Sequence, residues 1–144
     1  MYFDFKTFDP NKGLVLDKET SSLCRMEVRE NADLRWMMSE DGVLHGVMSL
    51  KEPCLPLVPY VRSMLIAQML KPEATKVLNL GLGTGAIERY IGEVYSQVKL
   101  TTVEISQTRL EQTKRFFHLV PSSSSSIVVQ DASKFISRKI PEQD

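Results

Sequence analysis

The segment Val77-Leu78-Asn79-Leu80-Gly81-Leu82-Gly83-Thr84-Gly85 limits the fold more tightly than any other part of the chain. An apolar run breaks into glycine at three alternate positions, and apolar residues then resume at helical spacing through Ile91. A strand that ends in such a turn and passes straight into a helix brings bare backbone amides, at the positive end of a helix dipole, close to whatever lies above the sheet edge. Glycine turns of this kind also serve tight strand-to-helix packing, so the loop alone leaves both readings open.

The flanking sequence supplies the sheet that such a loop needs. Val61, Met64, Leu65 and Met69 recur at helical intervals over 60–70, and Lys71-Pro72 ends that helix. Strand 76–80, helix 86 to about 95, strand 100–104, helix 107–118 capped by Ser106, strand 127–130 and a short helix 132–138 follow in turn. This alternation predicts a parallel sheet with right-handed crossovers and the glycine strand beside strand 100–104. The serine run 122–126 reads as a flexible loop.

Before residue 60 the periodicity is different. Cys24, Met26 and Val28 alternate with Arg25, Glu27 and Arg29, the period of a half-buried strand. Segments 34–38 and 43–48 read as two further strands, joined through Ser39-Glu40-Asp41-Gly42, where Asp-Gly supplies the positive φ of a hairpin turn. The prolines Pro53, Pro56 and Pro59 make 51–59 an extended connector. The expected organisation is a small N-terminal β region with its connector over 1–59, and an α/β unit over 60–144.

Composition narrows the function classes. Eighteen basic and eighteen acidic residues cancel, so no global field recruits nucleic acid or an acidic membrane surface. No stretch reaches the roughly 18–20 apolar residues of a membrane span, and the N-terminus lacks the pattern of a secretory leader, so a cytoplasmic protein is expected. Cys24 and Cys54 stand far apart without paired Cys or His spacing, which argues against a metal site and for reduced thiols. Homodimer formation is left open.

Carboxylates then bear on the ligand. Glu104 falls at the end of its strand, about twenty residues past the loop, where a carboxylate accepts hydrogen bonds from ribose hydroxyls. Asp131 follows strand 127–130 on the same sheet edge and is placed to accept from an adenine amino group, with Leu82 and Ile105 as apolar walls for the base. Gly81-x-Gly83-x-x-Ala86 also satisfies the dinucleotide fingerprint, so NAD is an alternative, while Asp131-Ala132 after the third strand favours an S-adenosyl ligand.

Taken together, the hairpin 34–48, the helix near Tyr60, the glycine loop, Val103-Glu104-Ile105 and Gln130-Asp131-Ala132-Ser133-Lys134-Phe135 resemble the spermidine and spermine synthases, the aminopropyltransferases. The resemblance implies a Rossmann-like, class I methyltransferase-like fold preceded by a small N-terminal β-hairpin region. It implies S-adenosylmethionine or its decarboxylated form as co-substrate, without a metal. Gly81, Leu82, Gly83, Thr84, Gly85, Glu104, Ile105, Asp131 and Ala132 would then hold the nucleoside, and His45 and Tyr60 the second substrate.

Departures from that family bear on the acceptor. Thr84 stands where the family carries an aspartate for the donor amine, and Val61-Arg62 follow Tyr60 where a carboxylate is usual. His45 replaces a glutamine. The sequence stops at Asp144, where the family's fourth strand with its catalytic aspartate would begin, so a truncated fold is expected, with no catalytic residue assigned and the chain inactive alone. The alternatives are a methyltransferase-like protein or a non-catalytic nucleoside-binding module without polyamine activity.

Overall fold

Strand pairing divides the chain between two sheets. The computed structural model describes residues 4–21, 24–119 and 122–138. The first sheet is antiparallel, in the order β1 (Leu14–Ser21), β2 (Cys24–Glu30), β3 (Leu34–Ser39) and β4 (Leu44–Ser49). The second follows α1 (Pro59–Leu70) and is parallel, in the order β5 (Lys76–Leu80), β6 (Lys99–Glu104) and β7 (Ser125–Val129). Helices α2 (Ala86–Val94) and α3 (Gln107–Phe116) form its crossovers, and α4 (Ala132–Ser137) follows β7.

The expected N-terminal hairpin is present as the β3–β4 pair, within an antiparallel sheet of four strands. Gly42 takes φ 85° in the turn between β3 and β4, as Asp-Gly predicts. Strand β1 has no counterpart among the sequence expectations. Leu14 and Val15 are exposed and the register slips at a bulge between Val15 and Asp17, so this edge strand lacks clean two-residue alternation.

Both faces of the antiparallel sheet are covered, because successive β3 residues point to opposite sides. Met37 joins Met26, Val28 and Met48 against Phe117 at the end of α3. Trp36 and Met38 join Val47 against Leu57, Val58 and Val61, from the connector and α1. The proline-rich connector therefore contributes core as well as length.

In the parallel sheet Lys76 to Leu80 pair in register with Lys99 to Val103, and Leu100 to Glu104 with Ser125 to Val129. The glycine strand lies beside the Glu104 strand, as expected. The serine run is corrected in part: Ser125 and Ser126 belong to β7, opposite Leu100 and Thr101, where the β6 ladder fixes backbone that their side chains would not.

Asn79 and Thr102 face α2, and Leu100 packs with Ile91 of the same helix. The alternate β5 residues Leu78 and Leu80 face the other way and are 48% and 46% exposed. Among the described residues β5 pairs with β6 alone. A groove of about 450 Å³ lined by Met64, Leu65, Leu78 and Ile87 runs beside it. No described helix is long and apolar enough to cross a membrane.

Candidate functional site

The turn from β5 into α2 places three glycines in the left-handed region: Gly81 at φ 92°, Gly83 at 55° and Gly85 at 72°. At Gly81 a Cβ would meet nothing within 4 Å, so backbone conformation calls for glycine there and the space beside it is open. Gly83 has less room, since its Cβ would lie 3.2 Å from the His45 carbonyl.

The loop is fastened from several elements at once. Its Leu82 N–H donates to Glu104 Oε2 at 2.9 Å, from the end of β6. Gly83 O accepts from Thr113 Oγ1 of α3 at 2.8 Å, and Thr84 O accepts from Arg89 Nη1 of α2 at 2.5 Å. Thr84 is 2% exposed and lies against Gly46 of β4, where a Cβ would come 2.3 Å from the threonine oxygen. Thr84 is thus a packing residue between the two sheets as well as a loop residue.

Arg89 extends this joint, donating also to Pro53 O and Phe117 O at 2.7 Å each. Burial holds its guanidinium down to about 10, against the neighbouring Glu88 carboxyl, which favours the cation. Its neighbour Glu88 is buried, with Oε1 accepting from Asn79 Nδ2 and Thr102 Oγ1 and Oε2 without a hydrogen-bond partner. Burial raises its carboxyl above the usual range, more than those two hydrogen bonds lower it.

Glu104 is 1% exposed. Its second oxygen accepts from Ser106 N–H at 2.9 Å and stands 3.5 Å from Arg109 Nη1. In this structure the carboxylate braces the loop from beneath.

Above the loop is a cavity of about 250 Å³, lined on one side by Gly81 to Thr84 and on the other by His45 and Tyr60, with Arg109 reaching in from α3. Tyr60 Oη donates to the His45 carbonyl at 3.1 Å, so α1 and β4 bring these two expected residues together. Burial first, and then the Arg109 charge, push the His45 imidazole below its ordinary range. Arg62 turns away and donates to Pro56 O at 2.7 Å.

Ile105, Asp131 and Ala132 lie outside this cavity, on the carboxyl edge of the sheet. Ile105 is 67% exposed. Asp131 Oδ1 caps α4, accepting from Lys134 N–H at 3.0 Å and from Ser133 Oγ, which together hold its carboxyl below the usual range. Two groups in the site escaped the sequence reading. Arg109, five residues after Glu104, looks like a solvated helix charge until the fold turns it over the loop, and Gly46 looks like an ordinary strand glycine.

No protein-family model matches the chain. Over 80 residues it is 30% identical to a polyamine aminopropyltransferase of Vibrio vulnificus (strain CMCP6), a stretch that is 56% of this chain and 27% of that protein. A probable spermidine synthase from Corynebacterium glutamicum ATCC 13032 superposes with a TM-score of 0.67 at 20% identity, over 85% of this chain and 47% of the other. Spermidine synthase from Thermotoga maritima gives 0.65 at 20%, over 89% and 47%. A spermidine synthase in complex with the transition-state analogue AdoDATO gives 0.64 at 21%, over 89% and 46%. The chain spans just under half the length of these solved structures. Over that span it is spermidine synthase-like in fold, with a three-stranded parallel sheet, and its sequence resembles an aminopropyltransferase over the 80 matched residues.

Proposed function

We propose that the chain binds an S-adenosyl-type nucleoside and forms the nucleoside-binding part of a transferase. The observation that carries this reading is the parallel pairing of β5 with β6, which sets the glycine loop against the Glu104 carboxylate. A loop braced by an acidic residue at the end of the neighbouring strand offers amides to one part of a nucleoside and acceptors to its ribose. Contact with the ribose requires local opening at Leu82, because Glu104 is buried. Ile105, Asp131 and Ala132 then offer an open ledge for adenine, the free Asp131 Oδ2 remaining for its amino group.

The ligand classes consistent with this site are S-adenosylmethionine, its decarboxylated form and methylthioadenosine. Support comes from the likeness to an aminopropyltransferase and to a spermidine synthase solved with AdoDATO. NAD is the competing ligand, since Gly81-x-Gly83-x-x-Ala86 also satisfies the dinucleotide fingerprint, whereas Asp131 after the third strand favours an S-adenosyl ligand. Calorimetric titration of the chain with methylthioadenosine and with NAD tests the reading. Saturable binding of the first, tighter than the second, is expected; tighter NAD would replace it with a dinucleotide site.

A further inference from the structure

We propose that the arm of the nucleoside entering the cavity carries a carboxylate, and that Arg109 is the specificity-determining residue that receives it. This rests on the nucleoside reading above and names the ligand within it: S-adenosylmethionine or S-adenosylhomocysteine in preference to decarboxylated S-adenosylmethionine.

The charges around the cavity carry the inference. Among the described residues no carboxylate lines it, and Arg109 is its charged group. The other polar contributions are the glycine-loop backbone, His45, Tyr60, Asn79 and the packed Thr84. An ammonium group entering there would meet a guanidinium, while the nearest carboxylate, Glu104, is buried and already engaged by two backbone N–H groups.

Arg109 is held loosely enough to take a further partner. Glu104 already accepts a backbone N–H on each oxygen at 2.9 Å, and Arg109 Nη1 reaches it only at 3.5 Å, near the limit of a hydrogen bond. The Arg109 Nε is buried without a hydrogen-bond partner, so nothing anchors that side of the guanidinium, while the side chain as a whole keeps 22% of its surface open. A carboxylate is the group whose two oxygens match adjacent donors of a guanidinium. His45, across the cavity on β4, is kept neutral by its burial and by Arg109 itself, so it adds a hydrogen-bonding ring without a competing charge.

The test is calorimetry on the folded chain with four ligands that share adenosine: S-adenosylmethionine, S-adenosylhomocysteine, decarboxylated S-adenosylmethionine and methylthioadenosine. The two carboxylate-bearing ligands are expected to bind about tenfold or more tighter than the decarboxylated one, the scale of a charge-assisted bidentate contact. In Arg109→Gln that ratio should fall to about threefold or less, and in Arg109→Lys, which keeps charge but loses the fork, it should lie between. Decarboxylated ligand binding as tightly as S-adenosylmethionine in the unaltered chain overturns the inference whether or not the variants fold. If methylthioadenosine binds and the carboxylate adds nothing, only this inference fails; if none of the four binds, the nucleoside reading fails with it.

Discussion

The hydroxyl of Thr84, in the glycine loop, occupies the space that a side chain on Gly46 of β4 would need, 2.3 Å from where its Cβ would stand. Loop and antiparallel sheet are therefore fitted to one another at this one side chain, whose Oγ1, Cγ2 and Cβ all crowd that position. Gly46→Ala should overpack this contact and cost about 1–3 kcal/mol of stability. Adding Thr84→Ala, which removes the clashing atoms, should recover much of that loss. Denaturant unfolding of the two single variants and the double variant measures the coupling, and additive effects would show that the two residues do not share the space.

Glu104→Gln is expected to be costly although it is nearly isosteric. Each Glu104 oxygen faces a backbone donor, so the amide nitrogen of glutamine must oppose either Leu82 N–H or Ser106 N–H. Leaving one buried donor unmatched should destabilise the fold by about 1–3 kcal/mol before any ligand is added. Thermal unfolding of the ligand-free variant checks this; an unchanged midpoint would mean the carboxylate does not brace the loop.

Glu88 predicts a pH dependence whose sign follows from its burial. Its folded carboxyl is raised above the ordinary value of 4.5, so above that pH the unfolded chain releases a proton that the folded chain retains. The contribution of this group is fully present below the ordinary value and is lost as pH rises through the raised one. Glu88→Gln cannot titrate and should lack this slope. The stability difference between variant and unaltered chain, followed by denaturant midpoints from acid to neutral pH, should shift in favour of the variant as pH rises; parallel curves would contradict it.

The chain should not convert putrescine to spermidine with decarboxylated S-adenosylmethionine. The attacking amine is protonated at neutral pH and needs a base held near the donor carbon. Among the described residues no carboxylate lines the cavity, and the nearby Glu104 is buried and engaged. Mass-spectrometric assay for spermidine decides it, turnover above a protein-free control being the contrary result.

Much of the parallel sheet was legible because each signal was local. Glycines at alternate positions, β-branched and leucine-rich strands, and Ser106 as a cap each depend on neighbours along the chain, and Ser106 Oγ does accept from Arg109 N–H at 3.1 Å. The juxtaposition of Tyr60 with His45 followed from the resemblance rather than from either residue. What the sequence concealed depends on tertiary reach. Glu88 sits in an amphipathic helix and reads as a surface charge, yet α2 turns it onto Asn79 and Thr102. Thr84 reads as a ligand hydroxyl, yet Gly46 leaves the gap that buries it. Strand β1, exposed and bulged, has too little periodic contrast to stand out from loop.

Among the described residues one edge of β5 carries no strand partner. Lys76 is the single charge among its five residues, and Leu78 and Leu80 lie open beside the apolar groove. Unpaired backbone next to exposed leucine is a template for another strand, and one lysine at the end of the strand is a weak deterrent. Edge-to-edge pairing through β5 is therefore expected to grow with concentration, which light scattering over a dilution series would register. Titrations of this chain should be read at the lowest workable concentration, where the surface reporting on the ligand is that of a lone molecule.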